Sequence, residues 1–89
     1  MQTIKYVKQP VAVVVTISRD GQVRPKKFQW KDGHTYPIDR VTKIERAAST
    51  KVGGCGIRYT VMVEGLPRFL YDEEGKWFME DEVLIEVTE

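Results

Sequence analysis

The fold class this sequence predicts is all-β: an antiparallel meander curled into a small open barrel or a small sandwich. Three observations predict it. Apolar side chains recur at every second residue, the period at which a strand turns alternate side chains to one face. Glycine-containing turns (Asp20-Gly21, Asp32-Gly33, Gly65-Leu66 and the slightly longer Glu73-Glu74-Gly75) interrupt the runs at the spacing of about 8–12 residues typical of sandwiches and barrels. Between the turns the chain is rich in Val, Ile, Tyr, Phe and Trp, which suit a pleated, half-buried surface.

The elements follow in order. Val11, Val13, Val15 and Ile17 share one face and Ala12, Val14 and Thr16 the other. A run apolar on both sides is expected at the centre of a sheet. Asp20-Gly21 supplies residues that tolerate the positive φ of a hairpin turn. Phe28 and Trp30 then point together, opposite Lys27, Gln29 and Lys31, before Asp32-Gly33 turns the chain again. Residues 35–48 break the alternation: Tyr36 and Ile38 fit a strand, Val41 has the opposite parity and Ile44 switches once more. A bent strand with bulges accounts for this. It is preferred to a short helix capped by Asp39, because β-branched Val41, Thr42 and Ile44 favour strand. Pro37 removes a ladder donor and so marks an edge or a bulge. Ser49–Gly56 is the one long loop. Ile57, Tyr59, Val61 and Val63 alternate against Arg58, Thr60, Met62 and Glu64, and Gly65-Leu66 ahead of Pro67 suits a turn with glycine first. Phe69 and Tyr71 oppose Arg68, Leu70 and Asp72. Glu73-Glu74-Gly75 makes a hairpin loop, Lys76–Glu80 a return strand, and Val83–Val87 a last strand after the acidic Glu80-Asp81-Glu82. Pro10 and Pro67 stand before strands and Pro25 near the start of one. About five to seven strands of this kind, curled to hide their edges, make an SH3-like open barrel or a small sandwich.

The 89 residues form one domain, 1–89, with 42% hydrophobic and 30% charged residues, a composition that excludes wholesale disorder. Cys55 is the single cysteine, so no internal disulfide or cysteine-rich zinc site is available and no oxidising compartment is required. The apolar run at Val11–Ile17 lacks a small-residue cleavage pattern and is far shorter than a membrane span. The cytoplasm is the expected location, with no membrane partner. His34 is the only histidine and follows Asp32-Gly33, where a solvated turn residue is expected. The acidic clusters lack calcium-loop spacing, and Gly53-Gly54-Cys55-Gly56 lacks the ending of a phosphate-binding P-loop. No catalytic residue, metal or cofactor is expected.

Charge is distributed unevenly. Residues 1–60 hold 12 Lys/Arg against 4 Asp/Glu, and residues 61–89 hold 2 against 9, within a net charge of +1. Either a polyanion-binding face stands beside an acidic segment, or opposite charges meet across neighbouring strands. Arg24, Lys26, Lys27, Lys31, Arg40, Lys43, Arg46, Lys51 and Arg58 interleave with Phe28, Trp30, Tyr36 and Tyr59. Small β barrels bind single strands with this pairing: cations follow phosphates while exposed rings stack on bases, each stack contributing about 1–3 kcal/mol. A domain this small also needs its large rings inside, and that is the reading favoured for Trp30. The candidate nucleic-acid-binding residues are therefore Arg24, Lys26, Lys27, Lys31, Arg40, Lys43, Arg46, Arg58, Trp30, Tyr36 and Tyr59. The alternative is a protein-interaction or self-associating module, a homo-oligomer joined by opposite charges or an open strand edge.

Two groups of short motifs carry a family resemblance. One is Pro25, Phe28 and Trp30 followed by Asp32-Gly33, Tyr36, Ile38 and Val41. The other is Arg58-Tyr59 with Val61, Leu70-Tyr71-Asp72 and Gly75-Lys76-Trp77-Phe78. Together, over roughly residues 20–80, the chain resembles a family of small β domains of unknown function that occur alone or fused behind Y-family, translesion-type DNA polymerases. The resemblance implies a β fold and an accessory role near DNA or a DNA-processing enzyme; it implies no catalytic residue. Where that family's central loop tends to carry tryptophans, this chain has Ala47, Ala48 and Gly53-Gly54-Cys55-Gly56.

Overall fold

A computed structural model of the protein describes residues 2–48 and 55–86, apart from the side chains of residues 48 and 55. The turn residues set its local geometry, and they do so in two ways. Both Asp-Gly turns make three-residue loops in which glycine takes the left-handed conformation (φ 85° at Gly21, 87° at Gly33). In each, the residue before the loop is bonded twice: Ser18 to Gly21 and Gln22, Trp30 to Gly33 and His34. This is a type I turn closed by a glycine bulge. Both Glu-Gly turns are tighter. Glu64-Gly65 (φ 52° and 78°) and Glu74-Gly75 (φ 52° and 84°) place two consecutive residues at positive φ, and Val63 faces Leu66 as Glu73 faces Lys76. That matches the twist of the flanking strands. The turn expected at Gly65-Leu66 thus sits one residue earlier, with glycine second, because Leu66 is already paired, and the longer loop expected at Glu73-Glu74-Gly75 is a two-residue turn, because Glu73 is paired with Lys76.

Among the described residues eight antiparallel strands result: β1 (Gln2–Pro10), β2 (Ala12–Ile17), β3 (Val23–Gln29), β4 (Thr35–Pro37), β5 (Arg40–Ala48), β6 (Cys55–Val63), β7 (Leu66–Glu73) and β8 (Lys76–Glu86). No helix occurs among the described residues. The strands form a five-stranded sheet in the order β1-β8-β7-β6-β5 and a three-stranded sheet in the order β2-β3-β4. The sheets do not close into a barrel. The all-β prediction holds, in its open-barrel or small-sandwich form.

Two corners join the sheets. At the first, the chain leaves β1 at Pro10 and the Val11 amide donates to the Trp77 carbonyl. At the second, the Ile38 amide donates to the Lys26 carbonyl of β3 and the Asp39 amide to the Met62 carbonyl of β6. Residues 35–48 are therefore not one bent strand but two strands in different sheets. The expected bulge is also present: Val41 faces Val61 and Lys43 faces Thr60, leaving Thr42 as the extra residue, its hydroxyl donating to the Thr60 carbonyl. That insertion turns both Val41 and Ile44 to the inner face, which explains the switching parity. Pro37 ends the edge strand β4, where it removes no internal ladder bond.

The core lies between the inner faces. Phe28, Tyr59, Val61, Val63, Leu70 and Met79 are buried there, with Val13, Trp30, Tyr36, Ile38, Val41 and Trp77 partly buried against them. A bulge at Lys26 in β3 brings Pro25 and Phe28, of opposite parity, to the same buried face. Three expectations change. Residues 2–10, for which no strand was expected, form β1. The acidic Glu80-Asp81-Glu82 does not interrupt β8, because β1 runs beside it, with Lys8 opposite Glu80; Val87 lies outside the described residues. β2 is not central but an edge strand, and its second apolar face meets solvent, with Val14 51% exposed. Among the described residues no helix is long and apolar enough to cross a membrane.

Candidate nucleic-acid interface

The sandwich separates the predicted basic residues into groups. Arg24, Lys26 and Lys27 stand on β3, at the surface of the three-stranded sheet. Arg24 is paired across from Thr16 and Lys27 from Val14 and Pro37, on the face turned away from the core; Lys26 is the extra residue of the bulge. Strands β2, β3 and β4 contain no Asp or Glu. Among the described residues none of these three cations makes an ion pair. Arg24 hydrogen-bonds the Gln22 side chain, at 3.5 Å, and acts on Asp20 through a weak charge interaction without an ion-pair contact. Asp20 in the adjoining turn is engaged by the Ser18 hydroxyl, which holds its carboxyl below the ordinary value.

The second group lies on the outer face of the five-stranded sheet, in cross-strand rows fixed by the register. One row runs Arg40, Met62, Pro67; the next Lys43, Thr60, Phe69; the third Glu45, Arg58, Tyr71, Phe78. Glu45 accepts from Arg58 and pairs with Lys43 at 3.2 Å. Hydrogen bonds from Arg58 first, then from Lys43, hold the Glu45 carboxyl below its ordinary 4.5 and keep it charged. The Arg58 guanidinium lies 4.5 Å over the Phe69 ring. Tyr71 and Phe78 stack at 4.9 Å, buried on this outer face and covered by Lys8, whose Nζ sits 4.6 Å over Phe78. Phe69 remains 44% exposed.

The other predicted residues do not join either group. Arg46 is paired with Ile57 and faces the opposite side of β5 from Arg40, Lys43 and Arg58. Lys31 is held by Asp81 at 2.5 Å and lies 5.8 Å over the Trp30 ring. Tyr59 is only 5% exposed, so it offers no face for stacking; burial, with a smaller contribution from Asp72, raises its phenol above the ordinary 10.0. Trp30 and Tyr36 are half-buried. With Phe28, Met79 and Arg68 they line a cleft of about 340 Å³ at one end of the sandwich. His34 is exposed, its amide bonded to Asp32, as expected for a turn residue. Lys51, Gly53 and Gly54 lie outside the described residues.

Part of the charge asymmetry resolves by pairing. Lys8 of the basic segment meets Glu73, at 3.3 Å, and Lys31 meets Asp81, both in the acidic segment. Among the described residues Lys5, Arg19, Arg24, Lys26, Lys27, Arg40 and Arg46 of the basic segment make no ion pair, and three of them, Arg24, Lys26 and Lys27, lie together on β3. Reasoning from sequence missed Phe69. Parity sets Phe69 opposite Leu70, and it is the burial of Leu70 that turns Phe69 outwards. No protein-family profile, curated protein or solved structure matches the chain in comparisons of sequence and fold.

Proposed function

We propose that this chain is a non-enzymatic accessory module that binds nucleic acid through its basic outer faces. The observation that supports this most is the three-stranded sheet, which carries three cations, no carboxylate and no ion pair among the described residues. Cations left without partners are the groups that replace counterions around phosphates, and they favour any polyanion over a neutral ligand. Gln29, Thr35 and Thr16 on the same face add hydrogen-bonding side chains suited to phosphate and sugar. The resemblance to domains fused behind translesion polymerases adds DNA, or an enzyme working on it, as the setting.

The test is fluorescence anisotropy with labelled oligonucleotides across a salt series. Neutralising three phosphates gives a slope of log affinity against log salt of about −2 for single strands. The triple variant Arg24→Gln, Lys26→Gln, Lys27→Gln is expected to flatten that slope towards zero. Absence of binding at low salt, or a variant that binds as well as the parent, contradicts the proposal.

A further inference from the structure

Resting on that reading, we infer that the outer face of the five-stranded sheet is a stacking site for unpaired bases, centred on Phe69, and that the nucleic acid bound is single-stranded. Phe69 stands on the solvent face of β7, beyond the last residue paired with β8, and leaves 44% of its surface exposed. Its neighbours Leu70 and Tyr71 are both buried, so β7 already supplies a packed side chain to each face of the sheet. Phe69 is instead held ready. Arg58 fixes one side of it, and Arg58 is itself fixed by Glu45.

The chemistry around the ring selects the ligand. Thr60 lies directly across from it and Lys43 one strand further, while Arg40 and Met62 occupy the adjacent row. Within these three rows Arg40, Lys43 and Arg58 outnumber the one carboxylate, Glu45, so the β5–β6 side of the patch is net positive. A flat apolar ring and a guanidinium plane among cations fit a nucleobase with its phosphate on the β5 side. A duplex keeps its bases stacked on one another and offers none of them to Phe69. The patch also continues towards the three-stranded sheet: β5 begins at Arg40, directly after the corner where Ile38 bonds Lys26. A strand leaving Phe69 past Arg40 therefore meets that corner before the β3 cations.

The experiment compares a short oligothymidylate with a duplex of equal length at one low salt concentration, using the parent and Phe69→Ala, Phe69→Leu and Phe69→Tyr. The parent is expected to prefer the single strand. Phe69→Ala and Phe69→Leu should each weaken single-strand binding by at least about fivefold, the lower bound for one stacked base, with Phe69→Tyr close to the parent. The leucine variant keeps apolar bulk, so it reports on the ring even where alanine disturbs the sheet. Equal affinity for duplex, or binding unchanged in Phe69→Leu, overturns the stacking site while leaving the nucleic-acid reading in place. Failure of the parent to bind either oligonucleotide overturns both.

Discussion

Gly56 shows how a single residue sets the spacing of two strands. It faces Ala47 across β5, and on its other side a Cβ would run into the backbone carbonyl of Asp72 and lie 3.1 Å from the Glu73 Cα. The obstruction is backbone, which cannot swing aside as a side chain can. Gly56→Ala must therefore push β6 and β7 apart where Ile57 pairs with Asp72. A loss of stability of about 1–3 kcal/mol is expected, as for other overpacked sites, read from the midpoint of urea unfolding. An unchanged midpoint would contradict the close approach. From sequence this glycine is one of a run of loop glycines, since the strand that crowds it lies 16 residues further on. Phe69 was similarly illegible. Alternation shows that neighbours face opposite ways, but not which face is inside, and β7 buries a side chain on both, Leu70 on one and Tyr71 on the other.

At the scale of elements, the legible parts are those whose two faces differ. Val61 and Val63 against Thr60 and Met62 could be assigned by period two alone, and the bulge at Thr42 left its mark in the parity of Val41 and Ile44. β1 and the far half of β8 left no such mark. β7 pairs with β8 only from Lys76 to Phe78, so beyond that point β8 has β1 as its sole partner. With no layer over this ribbon, apolar residues stand on both sides, and Ile4 and Leu84 are 57% and 61% exposed. A two-stranded ribbon is marginally stable by itself. Amide protons of Ile4 and Leu84 are therefore expected to exchange with solvent well before those of Val61 and Leu70 in the core. Equal protection, measured by nuclear magnetic resonance, would show the ribbon to be bound into the same cooperative unit. The edge strands of the larger sheet both carry cations, Lys5 and Lys8 on β1 and Arg40, Lys43 and Arg46 on β5. Such charges discourage edge-to-edge pairing between copies.

Taken as a whole, the molecule places charge by layering. Two sheets turn their apolar sides together, and the register then decides which cations share a face. Arg24 and Lys27 are ranged on one outer surface and Arg40, Lys43 and Arg58 on the other, while Lys8 and Lys31 are matched to Glu73 and Asp81. The basic stretch of the sequence is thus not one continuous patch but two surfaces meeting at the corner between β4 and β5. The most direct test is a nuclear magnetic resonance titration of the labelled protein with oligothymidylate. Amide shifts are expected along Arg24–Lys27 of β3 and around Arg40, Thr60 and Phe69, with the β1–β8 ribbon unaffected. Shifts confined to the ribbon or to the cleft beside Trp30, or no shifts at all, would contradict the assignment of these two faces to nucleic acid.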